Sequence, residues 1–455
     1  MSTQRPNDPA RRVPPVYATS IGRPLLVSAL LIHVVYLVHL ASPCAAEDPA
    51  PRASFEAGAA REDITPPAGL PLWGYGARKD IPSQGTHDPL TATAVVMRAA
   101  GARLAIVALD LGRSPARETL GRIREEVKAK CGIEHVIIAG SHTHHGPCLE
   151  LEKESLSGQK PTVEYVAALR GKIVQAIVRA NESLRPAKLG TKGEEVTWNR
   201  NRHTKIVPKP VDRLLNVVRL TGADDAPIAV LVNFAAHPTT QPAEMLKWSA
   251  DYPASLRAKV EKELGGLCLF LQGASGDLSA DRKGSDTVEF GVKLGEEVVR
   301  IAQSIQTTMP AAPGLLWRDE EFRFTSRIQL SDPVTYLKYC VAFFKDLVDA
   351  YVEEYRDGIR PALSVGLLNG DIGIVAVSGE FFSSHALRLR ERARLPCLLF
   401  LGYANGYHQY FPTIEAVSEG GYGADPDVSP VEIGAGERMM DRALFDLYDL
   451  RRPMR

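Results

Sequence analysis

The sequence predicts an α/β fold in which mixed β-sheets are layered with helices in a single large domain. Short apolar runs rich in β-branched residues alternate with segments of helical periodicity from about residue 54 to the end of the chain, which is typical of sheets covered by helices. Asn369-Gly370 stands between two such runs and indicates a two-residue type I′ hairpin turn. Neither an internal repeat nor a linker rich in Pro and Ser divides this region.

The individual elements follow from these periodicities. Strands are expected at residues 92–99, 104–111, 135–139, 214–220, 228–235, 267–271, 363–368, 372–377 and 397–401. Helices are expected at about residues 115–130, 162–183, 252–264, 286–306, 334–355 and 383–394. In the segment 334–355 aromatic residues recur at helical spacing, which is more typical of packing against a core than of a cofactor site.

Composition excludes several classes of protein. The 455 residues contain 54 Lys and Arg against 54 Asp and Glu, which gives a formal net charge of +0. Hydrophobic residues make up 45% of the chain, so it can build a full core and is not disordered throughout. The balanced charge gives no support to a nucleic-acid partner. The cysteines beyond residue 46 form no C-x-x-C pair, so they are expected to be buried as small apolar side chains and not to bind zinc.

Residues 1–46 show the order of features found in a secretory signal. A polar segment with several arginines precedes the apolar run 24–41, and Cys44-Ala45-Ala46 places small residues before a cleavage point at Glu47. We therefore expect export to a secreted or periplasmic location and a mature domain over residues 47–455. An uncleaved membrane anchor is the alternative, because about 18 apolar residues just span a bilayer.

A histidine cluster is the sharpest chemical signal. His142, His144 and His145 lie in the segment SHTHHGP, directly after the predicted strand 135–139. In open α/β sheets, ligands bind at the carboxyl ends of strands. Alternation along an extended segment places His142 and His144 on one face and His145 on the other. Two imidazoles on one face predict a metal ligand next to a group that handles protons or contacts substrate.

Three other predicted strands also end in residues that can bind a metal. His237, Glu380 and a tyrosine-rich segment over residues 403–410 each follow an apolar run. Alone, His237 is typical of a buried structural histidine, and Glu380 of a carboxylate near a helix N-terminus. Because the pattern of a strand followed by a ligand type is repeated, we expect these side chains to share a site with His142. Such a site of nitrogen and oxygen ligands suits Zn²⁺, and a tyrosine oxygen can also ligate a metal.

Two polar segments add candidate substrate contacts. The small residues of 273–279 allow close approach of the backbone to a ligand, and Ser279 in this segment is a candidate substrate-binding residue. A serine nucleophile is less favoured, since no G-x-S-x-G elbow occurs. Arg200 and Arg202 lie in a polar stretch and can donate hydrogen bonds to substrate oxygens. Dinucleotide-binding, P-loop and H-E-x-x-H motifs are absent from the sequence.

Taken in order, these motifs resemble those of the neutral (non-lysosomal) ceramidase family over roughly residues 55–425. The resemblance begins with GAAREDITPP at residues 58–67 and with Gly74-Tyr75. It continues through the segments HDPL, SHTHHGP, NFAAHP, GASGDLS, SGEF and NGYHQY. It implies the N-terminal catalytic domain of that family without the C-terminal immunoglobulin-like domain.

The resemblance also implies a set of site residues. It identifies four ligands for one catalytic Zn²⁺, namely His142, His237, Glu380 and Tyr410. Tyr410 is chosen over Tyr407 because the second tyrosine of the Tyr-x-x-Tyr segment is the ligand in the family. The other implied site residues are His144 for proton transfer or substrate contact, Arg200 for substrate contact, and Tyr422 facing the scissile group.

The expected function is that of a zinc-dependent hydrolase that cleaves the N-acyl amide bond of ceramide or a related N-acyl lipid. In this hypothesis a metal-activated water attacks the amide carbonyl, Arg200 and Tyr422 stabilise the oxyanion, and His144 protonates the leaving amine. The expected partner is a small lipid amide, reached through contact with a membrane surface, and no protein partner is implied. The alternatives are a metal hydrolase of another amide or ester, and a non-catalytic secreted binding protein on the same scaffold.

Overall fold

The computed structural model describes residues 54–153 and 160–452. In chain order its strands are β1 (Phe55–Asp63), β2 (Thr91–Ala99), β3 (Ala102–Leu109), β4 (His135–Gly140), β5 (Arg185–Glu195), β6 (Asn199–Asn201), β7 (Leu214–Gly222), β8 (Pro227–Phe234), β9 (Leu267–Gln272), β10 (Leu278–Ala280), β11 (Leu315–Glu321), β12 (Ala362–Leu368), β13 (Ile372–Val377), β14 (Glu380–Phe381), β15 (Cys397–Leu401) and β16 (Tyr410–Phe411). Its helices are α1 (Arg117–Cys131), α2 (Lys160–Glu182), α3 (Tyr252–Leu264), α4 (Thr287–Gln303), α5 (Pro333–Ala342), α6 (Lys345–Glu354), α7 (Ser383–Ala393), α8 (Ile414–Glu419) and α9 (Ala435–Leu450).

Two mixed β-sheets stack on each other, and helices cover both outer faces. The larger sheet has eight strands in the order β4-β3-β2-β1-β5-β7-β8-β9, and its β3–β4 and β8–β9 pairs are parallel. The smaller sheet has four strands in the order β11-β12-β13-β15, and its β13–β15 pair is parallel. The predicted α/β class, with mixed sheets layered with helices, is therefore confirmed.

The alternation of side chains along the strands produces these layers. Val95 and Ile374 lie in the apolar core between the two sheets. Their chain neighbours point the opposite way: Val96 lies in the core beneath α1 and α2, and Val375 lies in the core beneath α7 and α9. A strand that is buried on both faces reads as a continuous apolar run, which is why these strands are visible in the sequence.

The predicted strands agree with the structure to within two residues at either end. Asn369 and Gly370 have φ angles of 54° and 82°, as the predicted type I′ turn requires. The single helix predicted over 334–355 is wrong in one respect, because α5 and α6 are separated at Phe343-Phe344. Strands β5 and β11 carry charged residues on an exposed face, so no apolar run marks them in the sequence.

The predicted export signal over residues 1–46 lies outside the described residues. Within the described ranges, no helix combines the length and apolar character that crossing a membrane requires. The described cysteines are free thiols, and all but Cys340 are buried, in agreement with the prediction of small apolar side chains.

Strand ends from the two sheets meet at one edge of the structure. The amide of Gly140, at the end of β4, donates to the carbonyl of Tyr403 at 3.1 Å. The amide of Gly402, just after β15, donates to the carbonyl of Gln272 at 3.0 Å. A Cβ atom on Gly402 would lie 2.7 Å from the carbonyl oxygen of Gly273, so this close approach requires glycine.

Candidate metal centre

His142, His237 and Glu380 converge at this edge from distant parts of the chain. The Nε2 atoms of the two histidines are 3.1 Å apart. Each of them lies 3.2 Å from Oε2 of Glu380. The three side chains are at most 2% exposed. The spatial convergence that the repeated strand-end pattern predicts is therefore present for these residues.

Hydrogen bonds to backbone carbonyls orient both imidazole rings. Nδ1 of His142 donates to the carbonyl of Gly112 at 2.8 Å, and Nδ1 of His237 donates to the carbonyl of Ser275 at 2.7 Å. This pattern assigns the ring proton to Nδ1, so each Nε2 presents a lone pair to the centre. His142 has a φ of 70°, a left-handed conformation that costs a residue other than glycine about 1–3 kcal/mol.

The electrostatics of this group favour a bound cation. Two nitrogen lone pairs and a carboxylate face one another, and Oε2 of Glu380 is buried without a hydrogen-bond partner in the described structure. Burial and the nearby charge of Arg202 lower the pKa of His237 to about 3, so its imidazole is neutral at pH 7. Neutral imidazoles and a carboxylate are donors that Zn²⁺ accepts in a tetrahedral site.

A short pair of strands brings Tyr410 beside these three residues. In the parallel pair β14–β16, Glu380 is the partner of Tyr410. The phenol ring lies parallel to the His237 imidazole, with 6.5 Å between ring centroids. Burial and the charge of Glu380 raise the pKa of Tyr410 well above its usual value, so the phenol is neutral in the metal-free protein. Its role as a fourth ligand stays a prediction.

His144 lies beside His142 and His145 lies apart, as predicted, although the segment is not the extended strand on which the prediction rests, because His142 has a φ of 70°. Nε2 of His144 lies 3.5 Å from Nε2 of His142, and with His237 they form a group whose ligand atoms lie within 4.8 Å of one another. His145 instead contacts Nη2 of Arg78 through its own Nε2 at 2.6 Å. Burial lowers the pKa of His144 well below its usual value. A neutral His144 is thus placed either to exchange a proton or to serve as a third imidazole ligand.

The arginine at the centre is Arg202, whereas the resemblance implies Arg200. Arg200 is exposed in β6. Nη2 of Arg202 contacts Nε2 of His237 at 2.9 Å and donates to the hydroxyl of Tyr410 at 3.1 Å. Both arginines belong to one short polar stretch that lacks an apolar pattern, so the sequence does not show which of them is buried.

Tyr422 and Ser279 lie at the margin of the centre. The ring of Tyr422 meets the ring of Tyr410 edge-on at 5.5 Å between centroids, and 67% of Tyr422 is exposed. Ser279, in β10, forms a backbone bridge with His237. Neither residue belongs to the converging donor group, and their predicted contacts with substrate stay predictions.

A pocket opens onto the centre. His144, Glu380 and Tyr410 form its polar end. The apolar and aromatic part of its wall is formed by Leu72, Trp73, Phe343, Phe344, Leu347 and Tyr351. The aromatic stripe of 334–355 packs against an apolar cluster, as the sequence predicts. At the break between α5 and α6, Phe343 and Phe344 also line this pocket.

Two further aromatic residues lie near the centre: Tyr407, which belongs to the predicted tyrosine-rich segment but is not the predicted ligand, and Trp73, which the sequence does not identify as functional. The hydroxyl of Tyr407 donates to Oε1 of Glu380 at 2.5 Å. The indole ring of Trp73 meets the rings of His142 and His144 edge-on, at 5.0 and 5.3 Å between centroids. Proximity of Trp73 to Gly74-Tyr75 in the chain is the one sequence signal that points to it.

The family model of neutral/alkaline non-lysosomal ceramidases, N-terminal region, matches residues 55–289. The chain belongs to this family. The matched region contains His142, Arg202 and His237, and it ends before Glu380 and Tyr410. The resemblance drawn from the sequence motifs is therefore confirmed.

Individual relatives of this family agree with the assignment. Neutral ceramidase 3 of Arabidopsis thaliana is 34% identical over 149 residues, which is 31% of this chain and only 20% of that protein. The crystal structure of neutral ceramidase from Pseudomonas aeruginosa matches with a TM-score of 0.71 at 19% identity, covering 89% of this chain and 76% of that one. The structure of a ceramidase complexed with C2 matches with a TM-score of 0.69 at 19% identity, covering 88% and 75%. These structures share the fold.

Proposed function

We propose that this protein is a metal-dependent hydrolase that cleaves the N-acyl amide bond of ceramide or of a closely related N-acyl lipid. The observation that carries the proposal is the convergence of His142, His237 and Glu380 beside a pocket that has a polar end and an apolar, aromatic wall. A lipid amide needs this combination of a reactive polar centre and an apolar channel. Membership of the ceramidase family supports the same substrate class.

Zinc is the metal that the donors fit best. Two imidazoles and a carboxylate form a common catalytic zinc set, and the phenol of Tyr410 places a fourth candidate donor, an oxygen, beside them. Zn²⁺ held by these residues would lower the pKa of a bound water molecule to about 7 and would so supply a nucleophile near neutral pH.

Arg202 and His144 are the residues best placed to assist the reaction. Burial opposes the charge of Arg202, but Tyr410 and Glu380 raise its pKa above the usual value, so the guanidinium remains charged. It can donate to the developing oxyanion of the amide, and one such donor typically contributes about 2.7–4 kcal/mol. His144, neutral at pH 7, can accept a proton from the nucleophile and return it to the leaving amine.

The apolar wall of the pocket is suited to the acyl chain of the substrate. Phe344 and Leu347 lie along the same pocket as Glu380. Each methylene group that moves from water into such a pocket contributes about 0.8 kcal/mol. The KM for N-acyl amides is therefore expected to fall with acyl length until the pocket is filled.

A substrate panel with and without chelator tests this proposal. Purified protein is assayed on short-chain ceramide, on another N-acyl amide and on a fatty ester of equal chain length, while bound metal is measured by elemental analysis. We expect ceramide cleavage that stops with chelator and returns with Zn²⁺. If the protein cleaves the other amide or the ester but not ceramide, its substrate belongs to a different class from the one proposed. A protein that retains no metal and cleaves nothing would be a binding protein, and the proposal would be wrong.

Export and contact with a membrane surface are further parts of the proposal. A ceramide-type substrate resides in membranes, so the pocket must be reached from a lipid surface. Residues 1–46 have the features of an export signal. N-terminal sequencing of the protein recovered outside the cytoplasm is expected to begin near Glu47, and recovery only in the cytoplasm would contradict export.

A further inference from the structure

Arg113 is a buried charge that lies behind the metal centre, where the proposed reaction does not use it. Its Nη1 atom lies 3.0 Å from Oε1 of Glu150, and its Nη2 atom 3.6 Å from Oε1 of Glu354. The side chains of Arg113 and Glu150 are 2% and 1% exposed. A buried ion pair of this kind often adds no net stability, because the cost of desolvation offsets the Coulomb attraction. The contacts of this pair therefore indicate a function other than stabilising the fold.

The Arg113–Glu150 pair touches the metal centre through Tyr407. The guanidinium carbon of Arg113 lies 5.2 Å from the centroid of the Tyr407 ring, within the range of a cation–π contact. The hydroxyl of the same tyrosine donates to Oε1 of Glu380 at 2.5 Å. The ring of Tyr407 is buried, so the guanidinium limits where its hydroxyl can lie.

The pair touches the centre a second time through Trp73. The indole Nε1 of Trp73 donates to Oε1 of Glu150 at 2.9 Å. The same indole packs edge-on against His142 and His144. One ion pair thus holds two aromatic side chains, one of which contacts the carboxylate of the centre and the other its imidazoles.

We propose that Tyr407, held by the Arg113–Glu150 pair, is a positioning residue that presents Oε2 of Glu380 to the cation. The proposal rests on the metal centre of the proposed function. The Tyr407 hydroxyl donates a hydrogen bond to Oε1 of Glu380, which limits rotation of the carboxylate. Its other oxygen, Oε2, faces the Nε2 atoms of His142 and His237. Oε2 has no hydrogen-bond partner in the described structure. Removing a hydrogen-bond partner of a ligand typically weakens metal affinity by about 10- to 100-fold.

Cobalt binding tests the role of the Tyr407 hydroxyl. Chelator-treated parent protein and the Tyr407→Phe variant are titrated with Co²⁺ alone, and both the Kd and the visible absorption spectrum are recorded. We expect Kd to rise by about 10- to 100-fold in Tyr407→Phe and the spectrum to change, because the carboxylate is free to rotate. Equal affinity and an unchanged spectrum would overturn the inference.

Tyr165→Phe is the matched control. Its hydroxyl is also buried and donates to a backbone carbonyl, that of Ile64, at 2.8 Å, away from the centre. We expect this variant to bind Co²⁺ with an affinity within twofold of the parent. An equal loss in both variants would mean a general effect on folding and would overturn the positioning role. A parent protein that binds no Co²⁺ would instead refute the proposed function itself.

A double-mutant cycle tests whether Arg113 acts through Tyr407. Arg113→Lys keeps the charge and removes the planar guanidinium. We expect it to weaken Co²⁺ binding in the parent and to weaken it less in the Tyr407→Phe background, where the pair reaches the centre only through Trp73, because residues that act through one another are not additive. Equal effects in both backgrounds would show that Arg113 acts independently. Should Arg113→Lys fail to fold, the Tyr407→Phe titration alone decides the proposal.

Discussion

Glu380 and Tyr410 stand opposite each other in a parallel pair of two-residue strands, although α7 and β15 lie between them in the chain. The amide of Glu380 donates to the carbonyl of Gln409 at 2.8 Å. Backbone pairing therefore sets the spacing of the carboxylate and the phenol, independently of the loops that lead to them. The two donors are parts of one rigid unit, and a site built on paired strands is held more precisely than one built on loops.

Loss of one imidazole is expected to remove the cation. His237→Ala deletes an Nε2 donor that lies 3.2 Å from Oε2 of Glu380, so the variant should lose Zn²⁺ on dialysis and its hydrolytic activity should fall to background. His385→Ala is the control, since it removes a buried imidazole from α7 without touching the centre. Elemental analysis checks both variants, and a His237→Ala protein with full metal content would contradict the ligand assignment.

The two arginines of the polar stretch give a direct comparison. Arg202→Gln removes the guanidinium that contacts His237 and Tyr410, and we expect kcat to fall by about 100- to 1,000-fold. Metal affinity should not fall, because the variant removes a positive charge that repels a cation bound by the neighbouring ligands. Arg200→Gln alters an exposed side chain and should leave kcat within twofold of the parent. The opposite order of effects would restore Arg200 as the arginine at the site.

The difference between these arginines separates the features of the site that the sequence predicts from those that it does not. Buried strands such as β3, β4, β8 and β13 are apolar on both faces, so continuous runs of apolar residues mark their positions in the sequence. The residues that follow them, among them His142 and His237, are predictable as a shared site because strand ends meet at one edge. Local pattern thus predicts where the site forms and which residue types build it.

Orientation within the site is not predictable in this way. Whether Arg200 or Arg202 is buried depends on how β6 pairs with β10, a contact between segments far apart in the chain. The break at Phe343-Phe344 places both phenylalanines in the wall of the pocket, which the helical periodicity of 334–355 does not show. The contact of Tyr407 with Glu380 requires the loop that carries Tyr407 to be placed precisely against the short strand β14, which residue type alone does not specify.

Gly74 tests the placement of His144. It has a φ of 104°, and a Cβ atom there would lie 2.4 Å from Cγ of His144. Gly74→Ala is therefore expected to displace this imidazole and lower kcat, while His142 and His237 still retain Zn²⁺. Gly69→Ala is the matched control, because Gly69 has a φ of 100° with nothing within 4 Å of the added Cβ.

Both glycine variants should lose about 1–3 kcal/mol of stability from backbone strain, with a further loss in Gly74→Ala from the clash. Only Gly74→Ala should lose activity, measured as kcat at saturating Zn²⁺. Equal activity in the two variants would show that His144 does not act in the reaction.

Asp277 provides a test of stability against pH. Its carboxylate accepts hydrogen bonds from the amide and hydroxyl of Ser383 and from Asn201, and so joins three segments next to the centre. These partners are uncharged, and burial raises the pKa of Asp277 from 3.8 to about 6. The folded protein therefore keeps this proton at pH values where the unfolded chain has already released it.

The sign of the effect follows from this difference. Between about pH 4 and pH 6 the folded state binds more protons than the unfolded state, so the free energy of unfolding falls as the pH rises. A shift of about two pKa units corresponds to roughly 3 kcal/mol. Asp277→Asn mimics the neutral acid, so its stability relative to the parent should increase by up to that amount from pH 4 to pH 7. Denaturant unfolding at each pH measures the difference, and a constant difference across this range would show that Asp277 titrates as an ordinary carboxylate.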